Sequence, residues 1–302
     1  MEKSEKILIL GGAGMLGHVL LGYFVKQPGY EIYATSRDIN KLQEILPKDL
    51  VCRFIPQNLE ADYPEDIIEL IRKLRPSLVI NCIGIIKQLP SAKDPVISIK
   101  INSLFPHLIA RVCSDAGIRM IHISTDCVFD GKKGMYDEDD IPAPDDLYGR
   151  TKLIGEVDYP GCVTLRTSII GHELRSRYGL IEWFLGEKGP VKGYTNAIYT
   201  GFPTVEFARI IHRYVIPAPD LSGLYHVSSD PISKFDLLRL VAEKYGRSID
   251  IEPYDGVSLD RSLRSDRFRV KTGYNPPGWP ELIRAMLENY NANRDQYIKE
   301  KI

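Results

Sequence analysis

The sequence carries no excess of either charge: 39 Lys and Arg stand against 40 Asp and Glu, for a net charge of −1. Nucleic acid and anionic membrane surfaces are therefore not expected as partners, although local basic groups can still hold a phosphate ligand. Cysteine is sparse: Cys52, Cys82, Cys113, Cys127 and Cys162 are dispersed in apolar contexts, with no Cys-x-x-Cys pair and no histidine cluster. That excludes a disulfide framework and a zinc site, and it predicts reduced thiols and no metal ligands. No long hydrophobic run is expected to span a bilayer, and Met1-Glu-Lys-Ser-Glu-Lys6 lacks the apolar region of a signal peptide. The cytoplasm is the expected location. Repeats, low-complexity tracts and disordered linkers are also missing. A P-loop is disfavoured, because Gly17-His18-Val19 stands where Gly-Lys-[Ser/Thr] is required.

What is present is a chain of 302 residues, 44% apolar and 26% charged, long enough to bury a large core. Ile7-Leu-Ile-Leu10 is a short continuous apolar run, the mark of a strand buried on both faces of a parallel sheet. Gly11-Gly-Ala-Gly14-Met15-Leu16-Gly17 follows, and then an apolar-periodic helix through Val19, Leu20, Tyr23 and Phe24. Glycines at 11, 14 and 17 allow a tight turn, close approach of a pyrophosphate and close helix packing. Further strands are predicted at 31–36, 51–55, 78–84, 119–124 and 163–169, with helices at 64–74, 96–117 and 146–158. Gly117 is the expected cap of the second of these helices. The alternation predicts an α/β doubly wound parallel Rossmann sheet. Residues 1–170 are expected to form the dinucleotide-binding domain. Residues 171–302 are expected to form mainly a smaller C-terminal substrate-binding lobe, with some segments returning to the core. Helices near 204–215 and 232–245 and a short strand at 224–227 belong to this part, and substrate is expected between the lobes.

The second strand ends at Ser36-Arg37, where a carboxylate would accept hydrogen bonds from an adenosine ribose. Arg37 instead offers a planar fork suited to a 2′-phosphate, which predicts NADPH over NADH. Asn58 and Leu59 follow the third strand at the expected adenine position, and Cys82, Ile83 and Gly84 pass beside the cofactor. Lys87 comes next, within reach of a substrate phosphate or carbonyl. Strand 119–124 delivers Ser124 and Thr125 to its end, and Tyr148-Gly-Arg-Thr-Lys152 lies further along in helix-favouring sequence. At a spacing of four, phenol and ammonium project from one helix face, about one turn apart. The Lys152 ammonium is expected to stabilise a Tyr148 phenolate, so that a group of ordinary pKa near about 10 exchanges protons at neutral pH. The acidic loop from Asp130 to Asp146 is expected to border the site.

These residues resemble an extended short-chain dehydrogenase/reductase. More narrowly they resemble the dTDP-4-dehydrorhamnose reductase family of sugar-nucleotide 4-keto reductases. The resemblance rests on Gly11/Gly14/Gly17, Ser124-Thr-Asp-x-Val-Phe-Asp-Gly131, Tyr148-Gly-Arg-Thr-Lys-Leu-x-Gly-Glu156 and Leu165-Arg-Thr-Ser168. Weaker echoes continue to Leu263-Arg-Ser-Asp266. It implies that Tyr148 protonates a carbonyl oxygen as hydride arrives, that Lys152 lowers the tyrosine pKa and holds the nicotinamide ribose, and that Thr125 hydrogen-bonds the substrate oxygen. Asp126 would touch the sugar, Cys127 would shape its pocket, and Arg166 to Ile169, Ser168 included, would line it. Asn58 replaces the family's usual Asp and can still accept the adenine amine. Cys127 replaces the usual Tyr, which reshapes the sugar pocket and admits a UDP-linked 2-acetamido-2,6-dideoxy-4-ketohexose beside dTDP-4-dehydrorhamnose. The absence of Glu at that position argues against dehydration. The resemblance leaves open an epimerase or epimerase-reductase, a non-catalytic dinucleotide-binding subunit like that of methionine adenosyltransferase, and a homodimer.

Overall fold

A computed structural model of the chain describes residues 4–37, 56–58, 64–174 and 176–297. The expected strand at 51–55, Cys52 and Leu59 lie outside the described residues. The first half of the chain runs β1 (Glu5–Leu10), α1 (Gly17–Phe24), β2 (Tyr30–Ser36), β3 (Pro56–Asn58), α2 (Pro64–Leu74), β4 (Leu78–Asn81), α3 (Pro95–Asp115), β5 (Arg119–Thr125), α4 (Leu147–Ile154) and β6 (Cys162–Thr167). The second half runs β7 (Ile169–Ile170), α5 (Leu180–Gly186), β8 (Val191–Tyr199), β9 (Phe202–Pro203), α6 (Thr204–Ile210), β10 (Gly223–His226), β11 (Ile232–Ser233), α7 (Lys234–Lys244), β12 (Ile251–Asp260), α8 (Asp266–Thr272) and α9 (Trp279–Ala292).

The main sheet has seven parallel strands in the order β10-β6-β5-β4-β1-β2-β3. Chain order reverses direction beside β1, so the crevice at the carboxyl ends of β1, β4 and β5 is where ligands bind in such sheets. The four residues Ile7, Leu8, Ile9 and Leu10 are all fully buried. Ile7 and Ile9 enter the core beneath α1, α6 and α9, whereas Leu8 and Leu10 enter the core beneath α2 and α3. One strand thus serves both faces, each side chain worth roughly 2 kcal/mol of burial. Strand β10 comes from the C-terminal half and joins the first six by pairing with β6. A second sheet, β11-β8-β12, and the pair β7-β9 complete the fold.

Local rules place most elements, and tertiary contacts move their ends. Helix α2 buries Ile67 and Ile71 and carries Glu65 and Asp66 in its first turn and Arg72 and Lys73 in its last, the arrangement a helix dipole favours. Strand β4 stops at Asn81, three residues before its expected end, because the Asn81 side chain accepts from the Ile83 amide at 3.1 Å. Helix α4 ends at Ile154 instead of 158, since Thr164 Oγ1 accepts from Val157 N and donates to Val157 O, at 3.0 and 2.8 Å. Helix α3 includes a π-helical stretch, Ile99–Leu104, and Gly117 beyond it takes the left-handed conformation at φ +65°. By length and composition α3 is apolar enough to cross a membrane, contrary to expectation. Half of its most apolar window is buried, against α2 and α4 among others.

Candidate active site

The turn after β1 is built by backbone. Gly11 sits at φ +82°, and Gly12 N donates to Thr35 O at 2.8 Å. A Cβ on Gly17 would lie 2.1 Å from Gly11 O, so no side chain fits there. Leu16 gives α1 no side-chain cap, and its first turn holds no acidic residue. Gly14 N closes the turn on Gly11 O at 3.0 Å, and the helix dipole and amides at Met15, Leu16 and Gly17 suit a pyrophosphate. Ser36 is buried at the end of β2, where it pairs in register with Asn58 of β3, and Arg37 is exposed just beyond it. These positions fit a nicotinamide dinucleotide.

Across the crevice, β5 ends at Thr125, whose hydroxyl donates to Asp126 Oδ1 and accepts from Cys127 N, both at 3.1 Å. Helix α4 opens on Asp146, which caps Gly149 N at 2.8 Å. A Cβ on Gly149 would lie 2.2 Å from Cys127 O, so the glycine lets α4 close on the segment after Thr125. Tyr148 is thereby brought beside Thr125. Lys152, 5% exposed, donates from Nζ to Ile123 O at 2.7 Å. Burial lowers its pKa to about 8, against the pull of Glu156.

The electrostatics of the tyrosine differ from expectation. Burial, first, and then Cys127, Asp126 and Asp146 push the Tyr148 phenol above its ordinary value, and Thr125 alone draws it down. A phenol so placed stays protonated, the form in which it can donate.

Asn102, in the π-helical stretch, braces the other side. Its Oδ1 accepts from Ile85 N at 2.9 Å, and its Nδ2 donates to Ile85 O and Thr151 Oγ1, each at 3.3 Å. It thereby fixes the loop after Cys82, Ile83 and Gly84 against the helix that carries Tyr148 and Lys152.

The mouth of the site sets basic side chains beside carboxylates. Lys87 pairs with Asp146 at 3.1 Å. Arg261, 9% exposed, donates to Phe129 O at 2.8 Å and approaches Cys127 Sγ at 3.6 Å. Lys234, at the start of α7, makes no hydrogen bond or ion pair among the described residues. Burial lowers its pKa, while Asp126 and Cys127 favour its charge and Lys87 and Arg261 oppose it. Burial likewise raises the Asp126 carboxyl, against Arg261, Thr125, Cys127 and Lys234, and raises the Cys127 thiol to about 12. The Tyr199 hydroxyl is buried beside Asp126 and Ser168 without a well-formed hydrogen bond. Ser168 and Ile169 follow β6, with Ser168 O accepting from Phe202 N at 2.9 Å. Arg166 does not line the pocket as expected, because its guanidinium is buried on Glu156.

Lys234, Arg261, Tyr199 and Asn102 were not singled out as site residues from sequence. The echo at Leu263-Arg-Ser-Asp266 lies near Arg261, and Asn102 stands out as a polar residue beside an apolar stripe. Nothing local marks Lys234 or Tyr199. No three His, Cys, Asp or Glu among the described residues gather as metal ligands.

The β subunit of methionine adenosyltransferase 2 from Xenopus laevis is 31% identical over 93% of this chain and 89% of its own length. The dTDP-4-dehydrorhamnose reductase of Escherichia coli K12 is 29% identical over 74% of this chain and 83% of its own. In fold, the chain matches the crystal structure of dTDP-4-dehydrorhamnose reductase from Bacillus anthracis in complex with NADP. The TM-score is 0.78 and the identity 20%, over 94% of this chain and 99% of that one. The family model for the RmlD substrate binding domain matches residues 5–291, so this chain belongs to the RmlD substrate binding domain family.

Proposed function

We propose that this protein uses NADPH to reduce the 4-keto group of a nucleotide-activated 6-deoxy sugar, yielding a deoxysugar donor for a surface polysaccharide. The chain is an NAD(P)-dependent oxidoreductase, in keeping with its reductase relative and with its NADP-bound neighbour. The observation that carries the reading is the meeting of the Thr125 hydroxyl and the Tyr148 phenol, with buried Lys152 one turn along α4.

The turn at Gly11–Gly17 and the segment Cys82–Gly84 would hold the dinucleotide, which would supply the hydride. Thr125 donates a hydrogen bond to the ketone oxygen, and Tyr148 gives that oxygen its proton. Lys152 holds the nicotinamide ribose and offsets the charge left on the phenolate. Arg37 reads the 2′-phosphate that separates NADPH from NADH. Lys87, Lys234 and Arg261 face the anionic half of the nucleotide sugar, and Asp126 accepts from a sugar hydroxyl. Cys127, with Arg261 against its sulfur, reshapes the sugar pocket and admits a UDP-linked 2-acetamido sugar beside dTDP-4-dehydrorhamnose.

A second reading is favoured by the full-length similarity to the methionine adenosyltransferase subunit: a dinucleotide-binding subunit of another enzyme. The assay that separates them is loss of reduced-nicotinamide absorbance with dTDP-4-keto-6-deoxy sugars and with UDP-linked N-acetylated 4-keto sugars. Oxidation with one of them supports the reductase and names its substrate. NADPH binding with no oxidation by either, and co-purification of a partner enzyme, supports the second reading.

A further inference from the structure

Glu156 takes no part in the chemistry above, yet it joins the end of α4 to β5 and β6. It lies four residues after Lys152, just beyond the end of α4. Its Oε1 accepts from Ser124 Oγ and from Arg166 Nε, and its Oε2 accepts from Arg166 Nη2, all at 2.7 Å. Ser124 immediately precedes Thr125 on β5, and Arg166 is its register partner on β6. The side chains of Arg166 and Glu156 are 3% and 12% exposed. Arg166 is held on its other sides by the Phe129 ring at 5.3 Å and by His226 Nε2 at 3.2 Å. His226 Nδ1 lies 3.1 Å from Tyr136 O, so the neutral ring donates there and accepts from Arg166.

A buried bidentate pair gives little net stability, since apolar replacements of similar volume are often as stable. A different consequence follows from what surrounds Lys152. The titratable groups facing it are Glu156 on its own chain segment, Cys82 at the end of β4 and His122 on β5. Burial raises the Cys82 thiol to about 12 and holds the His122 imidazole well below its ordinary value, so both are neutral at neutral pH. Glu156 is the anion that remains.

We propose that Glu156 is a positioning residue for the Thr125–Tyr148–Lys152 set. It ties α4 to β5 through Ser124 and to β6 through Arg166, and it is the counter-charge of the Lys152 ammonium. This rests on the role given to Lys152 above.

The test compares wild type with Glu156→Gln, Glu156→Asp and the double variant Glu156→Gln/Arg166→Met, which leaves no unpaired buried charge. NADPH affinity is followed by nicotinamide fluorescence and kcat by absorbance, both from neutral to alkaline pH. In both Gln variants the alkaline loss of NADPH affinity and of kcat moves toward acid by about half a pH unit or more, because the ammonium loses its counter-charge. Glu156→Asp keeps the wild-type position of that limb at lower kcat. A limb that does not move in the double variant overturns the proposal and leaves Glu156 a scaffold residue. Should the single Gln variant fail to fold, the double variant decides. Should wild type bind NADPH but turn over no sugar, the reductase reading fails, and the fluorescence limb still decides the role of Glu156.

Discussion

Replacing Lys152 with methionine should stabilise the cofactor-free protein while abolishing its chemistry. The ammonium is 5% exposed, and burial brings its pKa from the ordinary 10.5 to about 8. Each pH unit corresponds to about 1.4 kcal/mol, so holding this group charged costs the fold about 3 kcal/mol at neutral pH. The sign follows from proton uptake. Between about 8 and the ordinary 10.5 the unfolded chain binds the proton and the folded chain does not, so stability rises with pH across that window. Below it the whole cost is present. Methionine matches the length of the stem and removes the charge, but it leaves Ile123 O without the 2.7 Å hydrogen bond from Nζ. That loss returns roughly 1–2 kcal/mol. A net gain of about 1–2 kcal/mol remains at neutral pH, a rise in Tm of about 3 °C for a chain of this size. The assay is thermal unfolding without dinucleotide, at pH values from about 7 to about 10. The advantage of the variant is largest at neutral pH and disappears toward the alkaline end, where wild type has shed its cost. A variant that melts at or below wild type at neutral pH, or with a difference independent of pH, refutes burial as the source of the lowered pKa.

Tyr148→Phe should leave NADPH affinity near wild type and lower turnover ~100-fold or more, the loss expected of a positioned acid. Near-normal turnover in the absorbance assay would remove Tyr148 from the reaction. Arg37→Asp should weaken NADPH far more than NADH in calorimetric titration, and an unchanged ratio means that the 2′-phosphate is read elsewhere. Gly149→Ala places a Cβ 2.2 Å from the Cys127 carbonyl oxygen. It should cost about 2 kcal/mol in chemical unfolding and lower kcat by moving Tyr148, whereas a silent substitution would show that α4 has room to shift. Lys234→Met should raise KM for the nucleotide sugar about 10-fold with kcat nearly unchanged, and a KM that stays put excludes Lys234 from the substrate mouth.

What could be read without a structure was what the chain encodes locally. Buried periodicity in Ile7–Leu10 followed by Gly11, Gly14 and Gly17 specifies a strand, a turn and a helix from adjacent residues alone. Helix α2 was equally legible, because Pro64 opens it and Arg75-Pro76 closes it. The errors lie where a distant side chain decides. Asn81 ends β4 early, and Thr164 ends α4 by taking the Val157 backbone, neither of which periodicity reports. The site divides the same way. The spacing of Tyr148 and Lys152 predicts a shared helix face, but it says nothing of where the ammonium goes, and the Ile123 carbonyl takes it. The expected lowering of the tyrosine gives way to a phenol that burial raises.

The mouth of the site was the least legible part, and the reason is topological. Arg261 meets Cys127 across 134 positions of sequence, and the charge of Lys234 is felt by Asp126 from the start of a helix in the other half of the chain. Each looks like an ordinary surface residue in its own neighbourhood, since a long basic side chain has no periodic signature. Only the closure of the C-terminal segments over the end of β5 gives them a common target. The same closure gives Cys127 its meaning. Read alone it is a small residue at a position usually filled by Tyr, and in the fold its sulfur lies 3.6 Å from the Arg261 guanidinium. Substrate choice in this chain should therefore depend on the pair. Cys127→Tyr alone must displace Arg261 and lose activity on every sugar, and regaining the dTDP-linked substrate requires a smaller residue at 261 as well. If Cys127→Tyr by itself gains dTDP-4-dehydrorhamnose reduction in the absorbance assay, Arg261 does not share the pocket and the coupling is wrong.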